Sequence, residues 1–281
     1  MLLRFWGVRG SIPVSGAKYA KYGGDTACVE LSTPENPTVV IDAGSAIRRL
    51  GIRMMREERF TCTMFFTHVH LDHILGFPFF RPLYDKRAKL LIHDCPTAQG
   101  DMHTLISRMM GPPFFPVPYG EVQAKVEHRR TCITDNRMVL GDLEVCSIPL
   151  SHPNLGLGFK FTHNGRSFVF LTDNELGFPH RGGRSFEDYA EFCRGADLLV
   201  HDSEFTEKEY LATRGWGHST YTEALRLARE AGVKAFGLYH HNQDRSDDQL
   251  DAMVKDCRER VAADGGPDVF AVHQDMEIDL G

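Results

Sequence analysis

The chain has 281 residues, of which 42% are hydrophobic and 25% are charged, so its composition is that of a globular protein with a large core. Its formal net charge is −6, from 32 Lys and Arg residues against 38 Asp and Glu residues. This balance argues against a protein that grips a long nucleic acid by its phosphates, and no apolar run reaches the roughly 18 residues of a membrane span.

The cysteines and the first residues give information about the cellular compartment of the protein. The seven cysteines are scattered and never spaced Cys-x-x-Cys, which favours reduced packing residues. The start Met1-Leu2-Leu3-Arg4 has the pattern of a strand and lacks the longer apolar region of a signal peptide. We therefore expect a cytoplasmic protein. No repeat, low-complexity tract or linker divides the chain, so we expect one domain over residues 1–281.

Short apolar runs rich in β-branched and aromatic residues predict the strands of the first half. These strands are Leu2–Val8, Ala27–Leu31, Thr38–Ile41, Thr61–Phe66, Leu90–His93 and Val122–Val126. Between the third and the fourth strand, Ser45–Glu58 carries apolar residues at helical spacing, so a helix is predicted there.

In the second half, strands alternate with amphipathic helices. The predicted strands are Leu143–Pro149, Gly158–Thr162, Ser167–Thr172, Asp197–Val200, Lys234–Tyr239 and Asp268–His273, and the predicted helices are Phe205–Thr213, Thr220–Ala231 and Asp247–Ala263. Asn164-Gly165 is a strong signal for a hairpin between two of these strands. A β-rich half followed by an α/β half predicts two sheets with outer helices and a site between their ends.

The run Thr67-His68-Val69-His70-Leu71-Asp72-His73 directly follows a predicted strand and contains four side chains that can bind a metal. Imidazole nitrogen and carboxylate oxygen are ligands of zinc and similar ions. On extended backbone, His68, His70 and Asp72 would project to one side, while His73 faces elsewhere. The run is thus predicted to serve two neighbouring ions, and a histidine-rich surface turn is the alternative.

Three later strands each end near another potential ligand, namely His152, Asp173 and His240. Taken alone, each of these residues is more typical of a cap or of the edge of a core. Together with the first run, they are predicted to complete the ligand set. His241 is an alternative to His240, and strand alternation sends the two side chains to opposite sides.

The run from Thr67 to His73, followed in order by the three later ligands, resembles the metallo-β-lactamase superfamily over almost the whole chain. It is most similar to the phosphodiesterase branch that includes ribonuclease Z and the PhnP-like enzymes. The strings that support this resemblance are Asp42-Ala43-Gly44, His201-Asp202-Ser203-Glu204 and Gly217-His218-Ser219-Thr220. The opening strings Gly7–Pro13 and Tyr22–Thr26 resemble a bacterial subgroup of uncertain substrate.

The resemblance implies an α/β protein with a four-layer αβ/βα sandwich and metals at the sheet edges. It also implies a ligand set, in which His68, His70 and His152 hold one ion, Asp72, His73 and His240 hold the other, and Asp173 bridges both. A water or hydroxide completes the bridge, and a strand that ends in histidine favours His240 over His241. Imidazole-rich coordination makes Zn²⁺ the expected metal of both ions, with Mn²⁺ or Fe²⁺ as the alternatives.

A catalytic set is implied in the same way. The histidine of the Gly-His-Ser-Thr loop, here His218, would protonate or stabilise the leaving group, unless the loop only caps a helix. Ribonuclease Z has a glutamate after the histidine of its matching motif, whereas this chain has Asp202, a shorter carboxylate that can still orient His218. Asp72 is the third expected catalytic residue.

The substrate is expected to be a small phosphodiester such as a cyclic nucleotide. Ribonuclease Z inserts a long arm between its third-histidine and bridging-aspartate motifs to grip tRNA, whereas only 20 residues separate His152 from Asp173 here. Processing of tRNA 3′ ends is one alternative, and hydrolysis of a thioester, lactone or β-lactam on the same scaffold is another. A metal-stabilised sensor is a third. The Gly-His-Ser-Thr loop favours phosphorus chemistry, and a homodimer is expected because homodimers are common among relatives.

The proline-rich, apolar segment Met109–Gly120 has three open roles. It can cover the core, form a dimer contact, or build a wall on which Phe114, Phe115 or Tyr119 stacks against a base.

Overall fold

The computed structural model describes residues 1–94, 101–130, 137–262 and 265–281. In these residues the strands are β1 (Leu2–Gly7), β2 (Cys28–Ser32), β3 (Val39–Ile41), β4 (Thr61–Phe65), β5 (Lys89–Asp94), β6 (Lys125–Arg130), β7 (Arg137–Leu140), β8 (Leu143–Pro149), β9 (Leu157–His163), β10 (Arg166–Leu171), β11 (Leu198–Asp202), β12 (Ala235–Tyr239), β13 (Asp268–Ala271) and β14 (Glu277–Asp279). The helices are α1 (Ile47–Arg56), α2 (Leu71–Ile74), α3 (Met102–Met109), α4 (Phe186–Cys193), α5 (Glu207–Thr213), α6 (Tyr221–Glu230) and α7 (Asp247–Val261).

The strands form two seven-stranded mixed sheets. The first has the order β14-β1-β2-β3-β4-β5-β6 and the second has the order β13-β12-β11-β10-β9-β8-β7. Strands β3 to β6 are parallel in the first sheet, and β10 to β13 are parallel in the second. Parallel strands present their carboxyl ends at one edge, where ligands of α/β proteins usually bind.

A phenylalanine-rich layer joins the inner faces of the sheets. Phe5 of the first sheet meets Phe168 of the second edge-to-face, with ring centroids 6.2 Å apart, and Phe65 contacts Phe159 and Phe161. Helices α1 and α3 cover the outer face of the first sheet, while α4, α6 and α7 cover that of the second. The predicted four-layer αβ/βα sandwich is therefore confirmed.

The predicted hairpin turn is confirmed. Asn164 and Gly165, with φ of 49° and 74°, both adopt left-handed backbone between β9 and β10. This is the pattern of a type I′ turn, whose twist suits the paired strands.

The strand predicted at Val122–Val126 is wrong in position, because the paired residues are Lys125–Arg130. Val122 and Val126 pack against the outer core, and a 3-10 turn at Tyr119–Glu121 precedes them. The apolar pattern there reports packing rather than strand pairing. Strands β7 and β14 and helices α2, α3 and α4 were not predicted, since they are short or polar.

The segment Met109–Gly120 covers the core at both ends, where Met110 and Tyr119 are buried, whereas Phe114 is 80% exposed. Five described cysteines are free and four of these are buried, while Cys95 and Cys132 lie outside the described residues. The predicted helix end at Ala263 also lies outside the described residues. No helix among the described residues has both the length and the apolar character needed to cross a bilayer.

Candidate metal centre

The histidine run departs from the extended geometry predicted for it. Strand β4 ends at Phe65, and α2 begins at Leu71, so Asp72 and His73 lie on a helical turn and His70 precedes its first residue. The turn brings His73 Nε2 within 3.3 Å of Asp72 Oδ2, so the two side chains face the same point. The prediction of extended backbone was wrong beyond His70, because Leu71–Ile74 form a helical turn.

Three further side chains of the centre follow the ends of strands, and each of these residues has left-handed backbone. Asp42 follows β3, Asp173 follows β10 and His240 follows β12, and their φ angles are 63°, 56° and 56°. Left-handed backbone is strained for residues other than glycine and concentrates at functional sites. Each strand here ends with a side chain that lies in or against the cluster of ligands.

The first group of ligands consists of His68, His70 and His152. His152 Nε2 lies 3.0 Å from His70 Nδ1, and His68 Nε2 lies 3.3 Å from Asp173 Oδ2. One ligand atom from each of these three histidines and one carboxylate oxygen of Asp173 all lie within 4.8 Å of one another.

The second group consists of Asp72, His73 and His240. The Nε2 atoms of His73 and His240 lie 3.3 Å and 3.2 Å from Asp173 Oδ1. The oxygens of Asp173 are thus divided, with Oδ1 toward the second group and Oδ2 toward the first. This is the arrangement that a carboxylate needs in order to bridge two ions.

The donor set fits two divalent ions. Among the described residues, the Nε2 atoms of His68 and His73 have no partner with hydrogen-bond geometry, although each lies 3.3 Å from an oxygen of Asp173 and the two residues are only 2% and 0% exposed. A buried polar atom without a partner costs about 1–3 kcal/mol. Ions between the imidazoles and the carboxylates would satisfy both atoms, and this mixture of nitrogen and oxygen suits zinc, manganese or iron.

The outer nitrogens of three ligand histidines are held by other groups. His73 Nδ1 lies 2.9 Å from Asp42 Oδ2, His240 Nδ1 lies 2.9 Å from Glu204 Oε2, and His152 Nδ1 lies 2.9 Å from the carbonyl of Gly217. Such partners fix the tautomer and the ring orientation of a metal ligand. Sequence reasoning missed the role of Glu204, and only its place after β11 could have suggested it.

The two groups differ in protonation. Burial lowers the pKa of His152 well below its usual value, and burial together with His68 lowers the pKa of His70 to about 4. For His73 and His240, burial is outweighed by Asp173 and other carboxylates, which raise the pKa well above its usual value. Ion binding at His73 and His240 therefore displaces protons, whereas His70 and His152 offer neutral imidazole.

His218 lies beside the second group. Its Nδ1 is 2.7 Å from Asp202 Oδ2, and its ring stacks on His240 with centroids 4.8 Å apart. Burial opposes protonation, but the carboxylates of Glu204 and Asp202 raise the pKa of His218 to about 9. Thr220 caps α6, so the cap does not involve His218.

The rival histidine lies apart. His241 Nε2 is 2.7 Å from the carbonyl of Val272, and its ring contacts Tyr22 edge-on. The structure brings His240 into the cluster and turns His241 into the core, as predicted, but the left-handed backbone of His240 after β12 separates them rather than strand alternation. All seven predicted ligands lie together, and Asp202 and His218 adjoin them.

Comparison with known proteins gives consistent results. The family described as "Beta-lactamase superfamily domain" matches residues 38–241. A ribonuclease Z of Haloferax volcanii is 27% identical over 279 residues, which cover 85% of this chain and 84% of that protein. In fold, the chain is similar to a diphosphatase from the PhnP family (TM-score 0.69, 18% identity, 100% and 98% of the two chains). It is also similar to human tRNase Z, short form (TM-score 0.67, 18% identity, 100% of both chains).

Proposed function

Because the chain belongs to the beta-lactamase superfamily, we propose that its seven clustered ligands hold two divalent ions and that it hydrolyses a small phosphodiester there. The predicted phosphodiesterase branch is confirmed, and the chain is a metal-dependent enzyme of phosphodiesterase type. The number of ions, the role of each residue and the substrate are parts of the proposal.

The observation that carries the proposal is the position of Asp173. Its two oxygens face separate groups of ligands, each of which adds three further side chains. A centre for a single ion would have no use for two such groups. We propose Zn²⁺ for both positions because most of the ligands are imidazoles.

The charge of such a centre suits a phosphodiester. The two ions would carry four positive charges against the two negative charges of the ligand carboxylates Asp72 and Asp173, so at the ions themselves a monoanionic diester and its more negative transition state are favoured. When bound, the ions would polarise phosphoryl oxygens and lower the pKa of a water to about 7.

The leaving group would receive its proton from His218. Asp202 holds Nδ1 of this ring at 2.7 Å, which leaves Nε2 as the nitrogen that can carry a proton to the leaving oxygen. In the ion-free centre the carboxylates of Glu204 and Asp202 raise the pKa of His218 against the effect of burial, and these same carboxylates favour a protonated ring in this role. The shorter Asp202 therefore reaches His218 in spite of its departure from the ribonuclease Z motif.

The size of the substrate is argued from the stretch between two ligands. Between His152 and Asp173 the structure places the β9–β10 hairpin, with its two-residue turn at Asn164-Gly165, and this compact element takes most of the available chain. A long arm for gripping tRNA has no room there. A small diester such as a cyclic nucleotide is therefore the substrate that we propose.

The second candidate is processing of tRNA 3′ ends. It is favoured by the relative from Haloferax volcanii, a ribonuclease Z that aligns over 85% of this chain. Under this candidate another surface of the protein must bind the RNA, since the β9–β10 hairpin leaves no space for an arm.

The test uses zinc-loaded and manganese-loaded protein with four substrates: bis(p-nitrophenyl) phosphate, a 2′,3′-cyclic and a 3′,5′-cyclic mononucleotide, and a precursor tRNA. Asp173→Asn, which keeps the shape of the side chain, is the control for the bridging carboxylate. We expect turnover of bis(p-nitrophenyl) phosphate and of one cyclic nucleotide, both abolished in the control. Cleavage of the precursor tRNA alone would establish the second candidate. Hydrolysis of p-nitrophenyl acetate without any diester would instead indicate acyl chemistry.

A further inference from the structure

The residue before Gly217-His218 is an exposed tryptophan. Trp216 is 64% exposed, whereas Trp6, the other tryptophan of the chain, is 4% exposed. Single exposed apolar side chains are common on protein surfaces. What distinguishes Trp216 is how its backbone is held.

A buried carboxylate fixes the loop on both sides of Trp216. Glu175, 1% exposed, accepts hydrogen bonds from the amides of Gly215 and Gly217, each at 2.7 Å. The hydroxyl of Tyr210 and Nε2 of His180 also lie 2.7 Å from its oxygens. Four contacts satisfy this carboxylate, so the loop is anchored rather than free to move.

The same loop is seated against the metal centre. The carbonyl of Gly217 lies 2.9 Å from His152 Nδ1, and a Cβ at this glycine would fall 2.1 Å from the same nitrogen. Among the seven ligands and His218, only His70 and His218 are not fully buried, so the centre opens to solvent beside them. The backbone of Trp216 is thus held one residue before Gly217 and two residues before His218, on the solvent-exposed side of the centre.

Two further exposed apolar side chains are sequence neighbours of residues in the centre. Leu71, between two ligands, is 68% exposed, and Ile12 is 56% exposed. Ile12 follows Ser11, whose amide donates to Asp72 Oδ2 at 2.8 Å. Exposed apolar side chains close in sequence to the ligands are compatible with a substrate that carries an apolar or aromatic group beside its phosphate.

We propose that Trp216 is the platform on which a nucleobase of the substrate stacks, and that Glu175 is the positioning residue that holds this platform. The inference rests on the proposed phosphodiesterase function and names its substrate as a nucleotide diester. An aromatic side chain on an ordered backbone loses less entropy on binding than one on a mobile loop, which favours Trp216 as such a platform.

The kinetic test compares Trp216→Ala, Trp216→Phe and Leu211→Ala with the wild type. Leu211, 86% exposed on α5 and outside the centre, is the matched control. The substrates are a cyclic mononucleotide and glycerophosphoethanolamine, a diester without a ring. In Trp216→Ala we expect the ratio of the two KM values to change by about 10- to 100-fold, the size of one base–aromatic stack. Trp216→Phe should recover part of the change and Leu211→Ala should show none. An unchanged ratio in Trp216→Ala overturns the proposal.

A binding test gives a readout that does not depend on turnover. Titration with a nucleoside 5′-monophosphate should quench the fluorescence of Trp216, whereas ribose 5-phosphate, which lacks the base, should not. Trp216→Phe retains only the buried Trp6 and should lose the response. Quenching without hydrolysis of any diester would support the platform while refuting the proposed function. Hydrolysis of the nucleotide without quenching would refute the platform alone.

The positioning role of Glu175 is tested by Glu175→Gln and Tyr210→Phe. The amide of glutamine turns a donor toward a group of donors, so the loop should loosen and nucleotide binding should weaken although Trp216 is present. Tyr210→Phe removes a single contact and protects the test against a Glu175 variant that fails to fold. It should weaken nucleotide binding to a smaller extent while ribose 5-phosphate affinity is unaffected. Wild-type nucleotide affinity in both variants would refute the role of Glu175.

Discussion

Gly10→Ala is expected to remove one of the two ions. A Cβ at Gly10 would lie 2.3 Å from Cε1 and Nδ1 of His240, whereas carbon atoms in contact are normally about 3.5–4.0 Å apart. The ring would have to move by about 1 Å or more, while metal sites tolerate deviations of about 0.2 Å. The movement would also break the contact of His240 with Glu204, a hydrogen bond to a charged group worth about 1.5–3 kcal/mol. That loss corresponds to about 10- to 100-fold in affinity for the ion.

The assay is zinc content by mass spectrometry after gel filtration, followed by competition with a chelator to obtain each affinity. The wild type should hold two equivalents, and Gly10→Ala should hold one at zinc concentrations that saturate the wild type. Gly120→Ala is the matched control, because nothing lies within 4 Å of a Cβ at that position. Two equivalents bound with wild-type affinity in Gly10→Ala would refute the reasoning.

Further substitutions distinguish residues that bind the two ions from a residue that takes part in the reaction. His240→Ala should lose one equivalent of zinc, while His241→Ala should keep two and lose about 1–3 kcal/mol of stability in denaturant unfolding with its core hydrogen bond; the opposite metal contents would reverse the assignment. Gly217→Ala should lose the ion of the first group, because its Cβ would lie 2.1 Å from His152 Nδ1, and equal zinc content would contradict this. His218→Ala should lower kcat about 10²- to 10⁴-fold on a diester with a poor leaving group while zinc content is unchanged. Undiminished kcat would exclude His218 from the mechanism.

Several features of the fold and the centre followed from the sequence because they depend on local pattern. The period of apolar residues located most of the strands, and Asn164-Gly165 specified a tight turn by its backbone preference. The residue types of the ligands, together with their places at strand ends, indicated a metal centre. The sequence also predicted that His240 and His241 face opposite ways, as they do, although both residues lie beyond β12 and His240 has left-handed backbone.

Tertiary structure decided what depends on contacts between distant parts of the chain. Residues far apart in sequence meet in the pairing of Glu204 with His240, in the close approach of Gly10 to the same ring, and in three of the four contacts of Glu175. The division of the Asp173 oxygens between two groups belongs to this class as well. Local periodicity carries no information on which side chains meet across two sheet edges, because that is set by how the sheets and helices pack.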